Sequence, residues 1–274
     1  MTAAADRPIG VFDSGVGGLT VLKELRRQLP GESTIYLGDE ARMPYGERET
    51  GEVLRFTREA MRWFAATAEP KLVVIACNTA TAVALEAVRE GSAIPVIGVI
   101  RPGAAAALSA TSRRAVGVLA TRLTVRSGAY VRAIRDLDPL VDVVQQAAPR
   151  LVPLIERGAA RSEEAHAAVR EYVGPMLSEG AAVDPGVDTI LLGCTHYPLV
   201  RWAVEEAAGP AVRVVDSATT TALAVREVLD SHGLRSSAAS PAHAVFATGA
   251  AAAFREVARA MFREDVAVQE ALLG

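Results

Sequence analysis

The sequence has few of the features that direct a chain to a membrane or to a nucleic acid. It carries 29 Lys and Arg residues against 32 Asp and Glu, a formal net charge of −3, and its basic residues are scattered rather than clustered. Nucleic-acid binding is not indicated, because such proteins present a basic patch to the phosphates. No apolar run reaches the ~20 residues that span a bilayer, and residues 1–8 lack the basic-then-apolar order of a signal peptide. We expect a cytoplasmic protein with no membrane segment.

Lysine and cysteine are also scarce, and each scarcity argues against a chemistry. Lys23 falls in a predicted helix and Lys71 at the N-terminal end of a predicted strand, so neither suits the Schiff base that pyridoxal phosphate requires. The cysteines, Cys77 and Cys194, are far apart in sequence, and a disulfide is rare in a reducing cytoplasm. Zinc needs three or four ligands, and these cysteines with His196 make a poor set. We therefore expect no metal and no pyridoxal cofactor.

Short β-branched runs alternate with amphipathic segments along most of the chain. Residues 19–29, for example, carry apolar side chains at 19, 22, 25 and 29, which is the spacing of a helix. Continuous apolar strands separated by helices are typical of parallel sheets covered by helices on both faces, so the predicted class is α/β. The predicted strands are Ile9–Phe12, Ile35–Leu37, Leu72–Ala76, Val96–Val99, Val116–Leu119, Val141–Val144, Thr189–Leu192, Val212–Val215 and Ala244–Ala247.

Two pairs of segments repeat one pattern in the same order, which indicates two related halves. Residues 7–14 resemble residues 114–121, an offset of 107, and residues 73–79 resemble residues 190–196, an offset of 117. Each segment is a strand followed by polar residues that open a helix, although chance similarity between such units is the alternative. We predict two similar parallel-sheet domains related by pseudo-symmetry, with the active site in the cleft between them. The first comprises residues 1–100 with 213–274, and the second residues 101–212.

Both cysteines lie where a predicted strand ends, Cys77 in the first half and Cys194 in the second. Ligands of open parallel sheets bind outside the carboxyl ends of the strands, so two facing halves would bring the thiols to opposite sides of one cleft. A cysteine is most often an inert core residue. Core packing, however, gives no reason for a cysteine to recur at the same edge of both halves, and a catalytic pair is the better interpretation.

Opposed thiols suit the inversion of a stereocentre that carries a hydrogen. One group removes the proton from one face while the other delivers a proton to the opposite face, and each must act as acid or as base according to the direction. The ordinary thiol pKa of ~8.5 lies close enough to neutrality for both roles. A helix N-terminus after each cysteine would in addition favour the thiolate.

Polar neighbours of the cysteines fit helper roles. Asp13 ends a strand in the half that contains Cys77 and is a candidate to relay its proton, although a plain helix N-cap is the alternative. His196 lies two residues past Cys194 and is the corresponding candidate there, unless it is a loop histidine bound to backbone. The glycine-rich turn at 15–18 lacks the third glycine of a dinucleotide loop, so it predicts close backbone approach to a ligand rather than nucleotide binding.

Several motifs in order resemble those of the glutamate racemases, within the aspartate/glutamate racemase superfamily. The resemblance covers nearly the whole chain, from residue 9 to about residue 220. The matching stretches are Phe12–Thr20, Asp39–Gly46, Ala76–Ala80 and Gly193–Pro198, with weaker matches at Ala120–Thr124 and Val152–Glu156. Two departures are Glu40, where the family more often has threonine, and Ala148, where a cysteine is common. Glu40 changes the charge near the Pro44–Gly46 loop, so the affinity for substrate is the property that this departure affects.

The resemblance implies a fold, an activity and a set of residue roles. It implies two α/β domains, a C-terminal segment that returns to the first domain, and a homodimer that interconverts L- and D-glutamate without cofactor to supply D-glutamate for peptidoglycan. Cys77 would act on the D-isomer with Asp13, and Cys194 on the L-isomer with His196 and Glu156. The implied substrate contacts are Asp13, Ser14, Pro44, Tyr45, Gly46, Asn78, Thr79, Thr121, Thr124, Thr195 and His196.

Two other classes of function remain open at the level of sequence. An aspartate or hydantoin racemase, or a maleate isomerase, uses the same scaffold, although the Pro44–Gly46 and Gly193–Pro198 segments favour glutamate. A non-catalytic binding protein would keep the pocket without turnover, but such a protein would be expected to have lost a cysteine. Some family members restrain DNA gyrase as a second activity, and no basic stripe here indicates a surface for it.

Overall fold

The computed structural model of the protein describes residues 4–180, 186–236, 240–249 and 251–273, and it contains two separate β-sheets. The strands are β1 (Ile9–Asp13), β2 (Thr34–Gly38), β3 (Leu72–Ile75), β4 (Val96–Gly98), β5 (Ala115–Ala120), β6 (Asp142–Ala147), β7 (Thr189–Gly193), β8 (Arg213–Asp216), β9 (His243–Ala247) and β10 (Val268–Glu270). The helices are α1 (Leu19–Gln28), α2 (Thr50–Thr67), α3 (Asn78–Arg89), α4 (Ile100–Ala110), α5 (Arg122–Ser127), α6 (Ala129–Leu137), α7 (Leu151–Glu156), α8 (Glu163–Gly180), α9 (Arg201–Ala208), α10 (Ala218–Ser231) and α11 (Ala251–Phe262).

The two sheets share one strand order, and every pairing in them is parallel. The first sheet runs β10-β9-β2-β1-β3-β4 and the second β6-β5-β7-β8. Strands β5 to β8 thus repeat the order of β1 to β4, and the first sheet is extended beyond β2 by the two C-terminal strands. The predicted α/β class with parallel sheets is confirmed.

Continuous apolar strands form because both faces of each central strand are covered. All residues of β1, β2, β3, β5 and β7 are buried, as expected for parallel strands between helical layers. Helix α1 buries the apolar side chains predicted from its spacing, with Leu19, Leu22 and Leu25 in the core of the first sheet. No helix among the described residues is both long enough and apolar enough to cross a bilayer.

The structure departs from the predicted elements at the edges of the sheets. All nine predicted strands are present. The sequence does not predict β10, because this strand has only three residues and they are largely exposed. Strand β6 extends into Gln145 and Gln146, which an edge position leaves half-buried. Strand β8 pairs with β7, so a division at residue 213 would separate it from its own sheet. The domain boundaries otherwise stay a prediction.

The topology brings the carboxyl ends of the central strands of both sheets together. Asp13 ends β1, and Cys77 follows β3 after one residue. In the second sheet Thr121 follows β5 and Cys194 follows β7. Lys71 lies at the opposite, N-terminal edge, where it precedes β3 and pairs with the buried Glu32.

Candidate active site

The two cysteine thiols lie at equivalent strand ends of the two sheets and line one cavity. Both are free thiols, and their residues are only 5% (Cys77) and 6% (Cys194) exposed. Cys77 contacts the core of the first sheet and Cys194 the core of the second. The cavity is therefore bounded by one thiol from each half of the molecule.

Most of the predicted site residues line this cavity. A cavity of ~10–15 Å³ holds one water, and the volume here is about 20 Å³, so the cleft is closed. The lining residues named from sequence are Ser14, Pro44, Tyr45, Gly46, Cys77, Asn78, Thr79, Thr121, Cys194, Thr195 and His196. Asp13, Thr124 and Glu156 lie behind this lining, where they contact lining side chains.

The chain takes different local structures after the two cysteines. Cys77 is the N-cap of α3, and its Sγ accepts a hydrogen bond from the Ala80 amide at 3.5 Å. After Cys194 the chain makes a turn and a short 3-10 helix, Tyr197–Val200, and α9 begins only at Arg201. The expected helix start directly after Cys194 is therefore wrong. Pro198, at the beginning of the 3-10 helix, has no N–H to donate and fits only the first turn of a helix.

Burial dominates the electrostatics of Cys77. Burial, with the nearby negative charge of Asp13, raises the pKa of the Cys77 thiol to about 12, although Ser14 Oγ at 3.5 Å and the Ala80 amide act in the opposite direction. The helix N-terminus thus does not make Cys77 a thiolate, contrary to the expectation from sequence. At neutral pH this thiol holds its proton.

Asp13 is an internal carboxyl group rather than a simple helix cap. It is fully buried, accepts a hydrogen bond from the Gly15 amide at 3.0 Å, and accepts another across the cleft from Thr195 Oγ1 at 3.1 Å. Burial raises its pKa to about 6, while His196 and these hydrogen bonds limit the rise. At neutral pH Asp13 is therefore mostly a carboxylate that can accept a proton.

A chain of three side chains extends behind Cys194. His196 Nδ1 lies 3.8 Å from Cys194 Sγ, and His196 Nε2 is hydrogen-bonded to Glu156 Oε1. Burial alone would lower the pKa of His196, but the contacts with Cys194 and Glu156 outweigh it and raise the pKa well above its usual value. His196 is therefore held as an imidazolium between the Cys194 thiol and the Glu156 carboxylate.

Neutral polar groups from both halves meet across the cleft. Thr79 Oγ1 lies 2.9 Å from Thr121 Oγ1 and 3.2 Å from Thr124 Oγ1, and Asn78 Nδ2 donates to Tyr130 Oη at 2.6 Å. The other polar atom of Asn78, Oδ1, is buried without a partner among the described residues. It is thus free to accept a hydrogen bond from a ligand in the cavity.

Two glycines permit the close approach of the halves. A Cβ at Gly17 would lie 2.5 Å from Thr195 Oγ1 and 2.6 Å from His196 Nδ1, and a Cβ at Gly46 would lie 2.6 Å from Thr121 Cβ. A side chain at either position would force the facing residues to move, because real Cβ atoms almost never lie within 3.0 Å of another residue.

Five lining residues were not named from sequence: Met43, Glu47, Pro149, Val152 and Tyr197. Met43 and Tyr197 lie within the matching stretches Asp39–Gly46 and Gly193–Pro198, and Glu47 directly follows the first, so these stretches already point to them. Pro149 and Val152 follow β6, and the rule that ligands bind at strand carboxyl ends points to them. Tyr45 lines the cavity as predicted, but its hydroxyl donates to Asp39, which leaves the ring and backbone to face a ligand.

The sequence of the whole region matches a known family model. The model described as Asp/Glu/Hydantoin racemase matches residues 9–228, which include both cysteines and all the residues placed above. The chain belongs to the Asp/Glu/hydantoin racemase family. Among the described residues, no group of three or more His, Cys, Asp or Glu side chains is placed to hold a metal ion.

Several members of this racemase family are similar to the chain along nearly its full length. A glutamate racemase from Oceanobacillus iheyensis is 45% identical over 261 residues, which cover 95% of this chain and 93% of that protein. The crystal structure of a glutamate racemase isoform from Bacillus anthracis has a TM-score of 0.91 at 37% identity, covering 97% and 98% of the two chains. A Francisella tularensis glutamate racemase in complex with D-glutamate has a TM-score of 0.87 at 31% identity, covering 98% of each chain.

Proposed function

We propose that the protein is a glutamate racemase that interconverts L- and D-glutamate without a cofactor, using Cys77 and Cys194 as its two acid–base groups. The observation that carries the proposal is the placement of the two thiols at equivalent strand ends of two facing sheets, around one cavity. Similarity to glutamate racemases over nearly the whole chain supports glutamate as the substrate.

The side chains that neighbour the two thiols support opposite roles for them. Cys194, paired with a protonated His196, is the base that removes the α-proton of L-glutamate. Cys77, with its pKa raised to about 12, is the acid that delivers a proton to the opposite face. In the reverse direction Asp13 accepts the Cys77 proton, and the thiolate so formed attacks the α-proton of D-glutamate. Each direction therefore uses one thiol as base and the other as acid.

Neutral donors and acceptors hold the substrate in this proposal. Asn78 Oδ1 accepts from the substrate ammonium, since it is buried in the cavity lining and has no other partner among the described residues. Hydroxyl groups and backbone amides receive the two carboxylates. The remaining assigned contacts are Asp13, Ser14, Pro44, Tyr45, Gly46, Thr79, Thr121, Thr124, Thr195 and His196.

Exchange in heavy water tests the proposal. Purified protein without added metal or pyridoxal phosphate is given L-glutamate while optical rotation and the α-proton NMR signal are followed. We expect both signals to decay, and Cys77→Ala or Cys194→Ala to abolish the decay of rotation. Folding of each variant is checked by circular dichroism. A wild-type protein that leaves L-glutamate unchanged but racemises L-aspartate would move the assignment to another substrate of the same scaffold.

The cellular setting belongs to the same proposal. We infer that the protein supplies D-glutamate for peptidoglycan in the cytoplasm and acts as a homodimer, as its resemblance to glutamate racemases implies. Sedimentation velocity of the purified chain measures the second point directly, since a monomer of 28.7 kDa and its dimer are well separated. A monomer at catalytic concentrations would contradict the dimer.

A further inference from the structure

Glu40 is a half-buried residue that has no role in the proposed proton transfers. It begins a short 3-10 helix, Glu40–Arg42, just after β2, and it does not line the substrate cavity. Its Oε1 atom is buried and has no hydrogen-bond partner among the described residues. A buried carboxyl oxygen without a partner costs free energy, so its retention calls for a reason.

Glu40 Oε1 and the Glu156 carboxylate behind His196 lie beside the same glycine. A Cβ at Gly15 would lie 2.9 Å from Glu156 Oε1 and 3.3 Å from Glu40 Oε1, so both atoms border the small space that this glycine leaves open. Glu156 Oε1 is also the atom that is hydrogen-bonded to His196 Nε2. Glu40 therefore adjoins the far end of the chain that leads through His196 to Cys194.

The surroundings of Glu40 oppose its ionisation at neutral pH. Burial first, and then the negative charge of Glu156, raises the pKa of Glu40 to about 8. The other charged groups that act on it are His196, which lowers its pKa, and Asp13 and Asp39, which raise it further. With its pKa raised to about 8, Glu40 mostly holds its proton at neutral pH.

We propose that Glu40 is a positioning residue that, as a neutral acid, donates its proton toward Glu156 and so fixes the carboxylate that orients His196 against Cys194. This inference rests on the proposed racemase activity. When Glu40 ionises, the donated hydrogen bond is replaced by a second negative charge beside Glu156. That charge holds His196 as an imidazolium more tightly, so Cys194 regains a proton less readily and turnover falls on the alkaline side.

Two substitutions separate the proton from the charge. Glu40→Gln keeps a neutral donor that cannot ionise, so we expect activity near that of wild type at pH 7 and an alkaline fall of kcat/KM that is displaced to higher pH. Glu40→Ala removes the donor, so we expect about a tenfold lower kcat/KM at pH 7, the effect of losing one hydrogen bond to a charged group. Glu69→Gln, at an exposed carboxylate paired with Arg7, is the matched control and should match wild type at every pH.

A hydrogen-isotope effect shows on which side of the reaction Glu40 acts. L- and D-glutamate have equal free energies, so kcat/KM falls equally in both directions and cannot identify the affected thiol. If the Cys194 step is slowed in Glu40→Ala, the deuterium isotope effect on kcat/KM rises for L-[α-²H]glutamate and falls for the D-isomer. A purely structural loss would leave both isotope effects unchanged.

The outcomes distinguish this inference from the proposed function itself. If wild-type protein does not racemise glutamate, the proposed function fails first. If wild type is active and Glu40→Gln has a pH profile that coincides with it, the positioning role of Glu40 is wrong. An equal loss of activity in Glu40→Gln and Glu40→Ala would also overturn it, since a charged rather than a proton-donating Glu40 would then be needed. Should Glu40→Ala fail to fold, the pH profile of Glu40→Gln still decides.

Discussion

Asp13 is a residue at which catalysis and stability oppose each other. Its pKa is raised by burial to about 6, from an ordinary value of 3.8. The folded protein therefore holds the Asp13 proton more tightly than the unfolded chain does. The stability gained from that proton is full below pH 3.8 and is lost as pH rises through 6.

Replacing Asp13 by a neutral residue should stabilise the protein at alkaline pH. At pH 8 the buried charge costs up to about 3 kcal/mol, and Asp13→Asn removes it. We expect the melting temperature of Asp13→Asn to exceed that of wild type at pH 8, with a smaller gain at pH 5, where wild-type Asp13 is already largely protonated. Differential scanning calorimetry at the two pH values measures this. A gain that does not depend on pH would mean that the charge is not its source.

The same substitution should slow the proton transfer at Cys77. Without the carboxylate, the Cys77 thiol has no acceptor for its proton, although its pKa falls because a neighbouring negative charge is gone. General-base losses are typically about 10²–10⁴-fold, so kcat/KM should fall at least about a hundredfold. The deuterium isotope effect should rise for D-[α-²H]glutamate and not for the L-isomer. A larger rise with the L-isomer would assign Asp13 to the other thiol.

For single residues, the sequence predicts where a side chain lies better than it predicts the protonation state of that side chain. The rule that ligands bind at strand carboxyl ends placed Cys77, Cys194, Ser14 and Thr121 where the structure has them. The raised pKa of Cys77 was missed, because it depends on the depth of burial and on the charge of Asp13, which no motif records. Glu156 came only from the family resemblance, since nothing in its own sequence context points to His196.

At the scale of elements, a buried ion pair connects the segments at the edge opposite the site. Lys71 precedes β3 and pairs with Glu32, which precedes β2, and both side chains are almost fully buried. Lys71 Nζ also donates to the backbone carbonyls of Ala5 and Leu234, and Glu32 accepts from the Ser236 amide at 3.0 Å. One ammonium group thus joins four segments of the first sheet's surroundings.

Removing the Lys71 ammonium group should destabilise the fold without changing catalysis. Lys71→Met leaves the buried Glu32 carboxylate with only the longer ion pair to Arg235, at 3.6 Å, and removing one partner of a buried ion pair typically costs about 3–5 kcal/mol. We expect this loss in urea unfolding, with kcat and KM of the remaining folded protein unchanged at 25 °C. Lys23→Met is the matched control because, within the described part of the chain, Lys23 makes one exposed hydrogen bond, to the Met261 carbonyl at 3.2 Å. Its change in stability should stay within about 0.5 kcal/mol. Equal losses of stability in both variants would contradict a stabilising role for the ion pair between Lys71 and Glu32.

Strands could be predicted from the sequence where all of their residues are buried and therefore apolar. Central strands such as β1 and β7 are buried throughout and therefore appear in the sequence as continuous apolar runs. Strand β10 and the polar end of β6 lie at sheet edges, where side chains need not be apolar. A turn and a 3-10 helix follow Cys194, where the sequence predicts the start of an α-helix. The prediction failed because the segment around Cys194 resembles the segment around Cys77, which does begin a helix.

For the molecule as a whole, the closed cleft implies that the two halves move apart during turnover. A cavity of about 20 Å³ is far too small for an amino acid, and both thiols are almost inaccessible. At the mouth of the cleft, Arg122 of the second half lies 3.4 Å from Glu47 of the first in an exposed ion pair. We expect substrate entry to break this contact and the hydrogen bond between Thr79 and Thr121, which also joins the two halves.

Arg122→Ala should therefore increase the population of open molecules. An exposed ion pair contributes about 0.5 kcal/mol, roughly a twofold change in the opening equilibrium. We expect iodoacetamide to label the two cysteines about twofold faster in Arg122→Ala than in wild type. Arg7→Ala, which removes an exposed ion pair with Glu69 within the first half, should not change the rate. Mass spectrometry of the labelled peptides gives both rates, and equal acceleration in the two variants would rule out a gate at Arg122.

The pseudo-symmetry was visible in the sequence because the two halves keep the same order of strands and strand-end residues. Segments around residues 7–14 and 114–121 occupy β1 and β5, which hold equivalent places in their sheets. The position of β8 was not visible, since a strand's sheet depends on its neighbours in space. Its pairing with β7 makes it the counterpart of β4.

The place of β9 and β10 in the first sheet also affects the order in which the two halves can fold during synthesis. The four strands of the second sheet are consecutive in the chain, whereas β2 pairs on its outer side with β9, which is synthesised more than 200 residues later. Strand β2 is thus an unpaired edge on the ribosome until β9 has emerged, and an open parallel edge is prone to pairing with other chains. The second half of the molecule can be completed first, and the half that begins the chain is completed last.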